Sequence, residues 1–226
     1  MNDKRGEKFP ERPVRIAVDN VILEGDLAIP PEAKGIVVFV HGSGSSRFSS
    51  RNRFVAQYLQ RDGLATLLFD LLTKQEEEID NYTMKLRFDI GLLAGRLSGA
   101  TAWLTSQKET RNLPAGYFGA STGAAAALIA ETRNPAAVHA IVSRGGRPDL
   151  AGQALSRVQA PTLLVVGGND HQVILLNEQA LDQMNATKKM VIVPGATHLF
   201  EEPGTLESAA KLASQWFRQY LGRGDE

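Results

Sequence analysis

The 226-residue chain is 43% apolar and 22% charged, with a formal net charge of zero. A balanced chain of this size predicts one domain with a substantial core and argues against a basic nucleic-acid face or a polybasic membrane patch. It contains no cysteine, which excludes disulfides, thiolate metal sites and a cysteine nucleophile together, and no apolar run approaches the length of a membrane span.

Residues 1–13 are polar and charged without the apolar run of an export signal. They are expected to form a flexible tail ahead of a single domain over 14–226, in a cytoplasmic protein. Alternation over 14–18, a turn at Asp19-Asn20 and alternation over 21–29 predict an antiparallel hairpin, ended by Pro30-Pro31. Residues 35–40 are continuously apolar, as in a strand buried on both faces, and run into the polar loop His41-Gly42-Ser43-Gly44-Ser45-Ser46-Arg47. A helix over 52–61 is stopped by Asp62-Gly63, and a strand over 64–69 ends at Asp70. Residues 73–81, with Glu76-Glu77-Glu78, are expected as an exposed loop. A single helix is expected over 82–106, where apolar residues from Met84 to Leu104 recur at helical spacing.

Tyr117-Phe118 then ends a short buried strand, and an alanine-rich helix occupies 122–131. A strand over 138–142 leaves into Ser143-Arg144-Gly145-Gly146-Arg147-Pro148, and Asp149 is placed to cap a short helix to Arg157. A strand over 162–166 exits into Gly167-Gly168-Asn169-Asp170, followed by a helix over 173–184. The last strand, 189–193, exits into Pro194-Gly195-Ala196-Thr197-His198, and a helix over 205–221 closes the chain with Trp216-Phe217 inward. From Gly35 onward strands alternate with helices. That order predicts an α/β fold, with a parallel sheet covered on both faces and functional loops at the carboxyl ends of the strands.

The chemistry centres on Gly119-Ala120-Ser121-Thr122-Gly123. This Gly-x-Ser-x-Gly pattern marks a strand that doubles back into a helix with a serine at the tip. Five common residues recur by chance, but here a strand precedes the pattern and a small-residue helix follows it. A serine hydroxyl needs a base within reach and an acid to orient that base. Elbow-bearing hydrolases supply them in the order serine, acid, histidine. Asp170 and His198 follow in that order, each on a loop at a strand's carboxyl end. Asp70, on the same rim, is the alternative acid. The backbone N–H groups of Ser43 and Thr122 are the expected oxyanion donors, and His41 is read as a support of that loop. The loop lacks the Gly-Lys-Ser/Thr ending of a phosphate loop. No spacing of histidines and carboxylates suggests a metal site, and the reading requires no cofactor. Arg144 leaves the sheet on the same rim and is a candidate clamp for a substrate carboxylate. Its other reading is a structural ion pair with Asp149 or the Glu76–Glu78 loop.

These stretches, together with Leu67-Leu68-Phe69-Asp70 and Gly195-Ala196-Thr197-His198-Leu199-Phe200, resemble the α/β-hydrolase superfamily and within it the dienelactone hydrolase family. The resemblance runs from the hairpin to the last helix. It implies an eight-stranded, mostly parallel sheet flanked by helices, with the second strand antiparallel, and the triad Ser121, Asp170 and His198. The namesake enzymes use a cysteine nucleophile, which is absent here, so ordinary hydrolysis of a small-molecule ester is expected. No long insertion lies between Val142 and Pro161 where many relatives carry a lid, so a shallow, open pocket is expected. Lactonase or peptidase activity is the nearest alternative, and a non-catalytic binding protein on the same scaffold is the alternative of a different class. The oligomeric state is left open.

Overall fold

A computed structural model describes residues 9–222. Among these residues eight strands form one sheet, in the order β1-β2-β4-β3-β5-β6-β7-β8. They are β1 (Arg12–Val18), β2 (Val21–Ala28), β3 (Ile36–Val40), β4 (Ala65–Phe69), β5 (Ala115–Ala120), β6 (Val138–Arg144), β7 (Thr162–Gly167) and β8 (Lys188–Val193). β2 runs antiparallel to both of its neighbours, and all pairs from β4 to β8 are parallel. Among the described residues six α-helices surround the sheet: α1 (Ser50–Arg61), α2 (Lys74–Thr83), α3 (Ile90–Ser106), α4 (Thr122–Arg133), α5 (His171–Gln183) and α6 (Thr205–Leu221).

Strand period decides which face each residue feeds. In β3, Ile36, Val38 and Val40 join the core beneath α3, α4 and α5, whereas Val37 and Phe39 join the core beneath α1 and α6. Both faces are therefore apolar, and all five residues of β3 and of β4 are buried. The order places β3, β5 and β6 side by side at the centre, so their carboxyl-end loops converge on one rim.

Four expectations are corrected, the last of them the Asp149 cap. The acidic stretch read as an exposed loop is the helix α2. Thr73 Oγ1 accepts from the Glu76 N–H at 3.2 Å and Glu76 Oε2 accepts from the Thr73 N–H at 2.8 Å, a capping box that starts a helix where charge alone suggested none. The single helix expected over 82–106 is broken: Met84 takes a left-handed φ of 52° and Asp80 Oδ1 accepts from Leu86 N–H at 2.7 Å, and α3 restarts with Asp89 accepting from Leu92 N–H at 2.9 Å. The expected tail over 1–13 lies mostly outside the described residues, but Arg12 and Pro13 already belong to β1, paired with Leu27 and Asp26.

The segment after β6 is a 3₁₀ stretch over Pro148–Arg157, interrupted at Gly152, and Asp149 does not cap it; its carboxylate instead holds Arg147 at 2.7 and 2.8 Å. The far end of this segment is tied to α4 by Glu131. That fully buried carboxylate accepts from Gln159 N–H at 3.0 Å and Ala160 N–H at 2.8 Å. Glu131→Ala leaves two amides without a partner and should lower stability by roughly 2–4 kcal/mol. Glu131→Gln keeps the acceptor and should recover most of that loss, as read by urea unfolding of the two variants.

Candidate active site

Ser121 stands between β5 and α4 with φ 50° and ψ −124°, a conformation that L-residues rarely adopt. The two flanking glycines are required by contact. A Cβ on Gly119 would lie 2.5 Å from the Ala124 Cα, and one on Gly123 would lie 2.2 Å from the Val40 carbonyl oxygen. Only with both absent does α4 fold back against the end of β5 while passing β3. The turn is held from outside by the Ser121 carbonyl, which accepts from Ala124 N–H at 3.1 Å and from Arg147 N–H at 3.0 Å.

Asp170 and His198 come from neighbouring strand ends, β7 and β8. Their loops are joined by Asn169 N–H to Ala196 O at 2.9 Å and by Asn169 Nδ2 to Gly195 O at 3.0 Å. This lacing brings His198 Nδ1 to 2.7 Å from Asp170 Oδ2. With its side chain 15% exposed, Asp170 is the deeper of the two, while His198 at 40% keeps one edge open. The tautomer that fits has Nδ1–H donating to the carboxylate, leaving Nε2 as a proton acceptor. Ser121 Oγ makes no hydrogen bond among the described residues. Asp70, the other acid considered, is engaged elsewhere. Its Oδ1 accepts from Arg47 N–H at 2.8 Å and its Oδ2 from the Arg47 guanidinium, which also reaches Glu24 at 3.0 Å.

The loop after β3 passes directly over the serine: a Cβ on Gly42 would lie 2.9 Å from the Ser121 Cβ. Of the two expected oxyanion donors, Ser43 N–H is occupied, donating to Thr122 Oγ1 at 3.0 Å. The Thr122 hydroxyl was not singled out from the sequence. Its relevance depends on two loops some eighty positions apart meeting over the elbow, which no local pattern encodes. His41 anchors the same loop as expected of a support. Its Nδ1–H donates to Gly42 O at 3.0 Å and its Nε2 accepts from Leu71 N–H at 3.2 Å, beside β4.

Burial holds the His41 ring below the ordinary histidine range. The folded value lies under that of the unfolded chain, about 6.5. The stability that the neutral ring supports is therefore present above that pH and declines as pH falls toward the folded value, because only the unfolded chain takes up the proton. The melting temperature should drop more steeply between about pH 7 and 5 for the native protein than for His41→Gln. Parallel curves for the two would remove His41 from the acid-side instability.

A cavity of about 950 Å³ opens on the other side of the 42–49 loop, lined by His41, Ser43, Arg47, Asp70, Lys74 and Arg87 among others. Ser121, Asp170 and His198 do not line it. It adjoins the elbow through Gly42, against Ser121, and Ser43, bonded to Thr122, and α2, expected as a loop, forms its outer wall. Arg144 is the last residue of β6, in register with Ala120, and is buried. Among the described residues the structural ion pair considered for it is not made: Asp149 holds Arg147, and Glu76 holds Arg96 at 2.6 Å. No helix among the described residues is long and apolar enough to cross a membrane.

A model of the dienelactone hydrolase family matches residues 23–223. Two Mycobacterium tuberculosis proteins, whose names carry a provisional phosphoribosyl transferase assignment, are 55% identical over 208 residues. The match takes in 92% of this chain but 46% of theirs, so the chain spans under half the length of the curated relatives it matches. A crystal structure of a dienelactone hydrolase from Anabaena variabilis is 60% identical with a TM-score of 0.93, covering 95% of this chain and 99% of that one. Est1E from Butyrivibrio proteoclasticus shares the fold at 15% identity and a TM-score of 0.76, covering 92% of this chain and 98% of that one. With the sheet order, the elbow and these matches together, the chain has the α/β-hydrolase fold and belongs to the dienelactone hydrolase family.

Proposed function

We propose that this hydrolase is a serine carboxylesterase acting on small acyl esters through an acyl-enzyme on Ser121. The observation that carries the reading is the 2.7 Å bond from His198 Nδ1 to Asp170, on the same rim of the sheet as a serine held at φ 50°. In this reading Ser121 Oγ attacks the ester carbonyl carbon and its proton passes to His198 Nε2, while Asp170 keeps the ring oriented and stabilises the imidazolium. The carbonyl oxygen becomes an oxyanion facing Thr122 N–H. A turn of the Thr122 hydroxyl releases Ser43 N–H as the second donor. Collapse of the tetrahedral intermediate breaks the ester C–O bond, and the alcohol leaves with the proton from His198. Water then attacks the acyl carbon, giving a proton to His198; collapse of this second tetrahedral intermediate breaks the acyl C–Oγ bond and releases the carboxylic acid, while Ser121 Oγ takes the proton back from His198.

Serine takes the place that cysteine holds in the family's namesakes, which favours ester over dienelactone hydrolysis. The short 3₁₀ segment between β6 and β7 leaves no room for a lid over a long acyl chain. The phosphoribosyl transferase assignment belongs to proteins of which this chain matches less than half, and the present reading concerns the matched segment alone.

The test pairs two measurements: release of p-nitrophenol across an acyl-length series, and labelling by a serine-directed fluorophosphonate with the modified peptide mapped. Short acyl chains should be cleaved fastest, with one label per chain on Ser121. No turnover of esters or lactones and no labelling would instead favour a binding protein on a hydrolase scaffold.

A further inference from the structure

The second oxyanion donor is occupied in the resting protein. Ser43 N–H donates to Thr122 Oγ1 at 3.0 Å, between two loops that meet over the elbow. The loop that carries Ser43 has little freedom to withdraw. His41 fastens its start, with Nε2 accepting from Leu71 N–H at 3.2 Å. Gly42 lies against the elbow itself: a Cβ there would fall 2.9 Å from the Ser121 Cβ and 3.2 Å from the Ala120 carbonyl oxygen. Ser45 N–H closes the turn onto Gly42 O at 3.2 Å, and Arg47 N–H ties the far end to Asp70 at 2.8 Å. The other partner in the bond is freer. Thr122 is the first residue of α4, and its hydroxyl moves by one side-chain torsion with the backbone unchanged. Threonine, unlike valine, divides between two such rotamers in a helix.

We propose that the Thr122 hydroxyl caps the oxyanion hole and yields Ser43 N–H to the oxyanion, but not to the neutral ester carbonyl from which it forms. The inference rests on the esterase reading and gives the Thr122 side chain a gating role beside that of its backbone N–H. Relative bond strengths decide which oxygen holds Ser43 N–H. A hydroxyl oxygen and an ester carbonyl oxygen are both neutral acceptors of similar strength, so exchanging one for the other gains nothing and the cap stays. A charged oxygen makes a bond roughly twice as strong, so the oxyanion displaces the hydroxyl. The second donor is then engaged in the transition state alone, and the bound ester goes without it. Without the hydroxyl, the carbonyl takes Ser43 N–H as soon as the ester binds, and the transition state no longer has to break the capping bond. The ground state and the transition state therefore gain by similar amounts relative to free enzyme, and a gain of that kind appears in KM.

The experiment compares the native chain with Thr122→Ala and Thr122→Ser on one short-chain p-nitrophenyl ester, with kcat and KM resolved. In Thr122→Ala, kcat/KM should rise about fivefold, the equivalent of one neutral hydrogen bond, with the gain carried by a lower KM. Thr122→Ser keeps the acceptor and should bring KM back toward the native value. Hydrogen exchange at the Ser43 amide, followed by NMR, reads the bond without turnover: exchange should be faster in Thr122→Ala than in the native protein or Thr122→Ser. Thr122→Val, of similar size and without the acceptor, takes the place of the alanine variant if that one does not fold. A fall in kcat of tenfold or more in Thr122→Ala at constant KM would make the hydroxyl a direct donor to the oxyanion and overturn the cap. The same KM in all three proteins overturns it too, as does equal exchange at Ser43, since either result leaves the bond a structural one. These outcomes leave the esterase reading standing. If the native protein cleaves no ester and takes no fluorophosphonate on Ser121, that reading falls and the cap falls with it.

Discussion

Ser121→Ala should lower ester turnover on the order of a millionfold while leaving the fold intact. The size follows from the proposed chemistry: without the hydroxyl no acyl-enzyme forms, and what remains is the weaker assistance of oriented donors and binding. The structural half of the expectation has its own reason. Ser121 Oγ makes no hydrogen bond among the described residues, so alanine orphans nothing. The unusual φ of 50° is imposed by contacts of the neighbours and is equally strained for serine and alanine. Turnover of a short-chain ester, read beside circular dichroism and the melting curve, checks both halves. A folded variant keeping a tenth of the activity would move the nucleophile to another residue.

Gly123→Ala should have the largest effect on stability. The added methyl carbon falls 2.2 Å from the Val40 carbonyl oxygen and 2.7 Å from that of His41. Both obstacles are backbone at the carboxyl end of the central strand β3, so no side chain can swing aside. Either α4 lifts from the sheet or the start of the 41–49 loop is displaced. Such overpacking costs about 3 kcal/mol or more, which for a chain of this size lowers the melting temperature by roughly 6–12 °C. Activity of the folded fraction should fall as well, because the displaced loop carries Ser43 and lies against Ser121. Calorimetry with kcat/KM on the soluble fraction tests the pair of effects. A melting temperature within a degree of the native value would show that α4 and β3 have slack that the packing does not suggest.

Much of the architecture was legible because its causes are local. A strand buried on both faces must be apolar throughout, as residues 36–40 are, and a helix against a sheet must show an apolar stripe, as 205–221 does. The misread region, 73–89, turned on side chains whose effect exceeds that of the charge pattern. The Thr73–Glu76 capping box starts α2, and Asp80 binding the Leu86 and Arg87 amides ends it. The capping box was available in the sequence as a threonine three residues before a glutamate, outweighed there by the acidic run.

For the candidate site, the sequence by itself determined which residues stand at strand ends and in what order. Gly119-x-Ser121-x-Gly123, Asp170 and His198 each follow a recognisable strand, and an alternating α/β chain delivers such ends to one rim. Tertiary structure decided what those residues meet. Register between β7 and β8 sets the 2.7 Å approach of Asp170 to His198, and the path of the 41–49 loop puts the Thr122 hydroxyl on Ser43 N–H. The same holds for Arg144. Its place at the end of β6 was readable, but that no acid among the described residues pairs with it emerges only once Asp149 has turned to Arg147 and the Phe200 ring lies against the guanidinium. Strand ends follow from chain periodicity over a few residues. Pairing between side chains depends on loops that meet across the sheet, and periodicity carries no information about those distances.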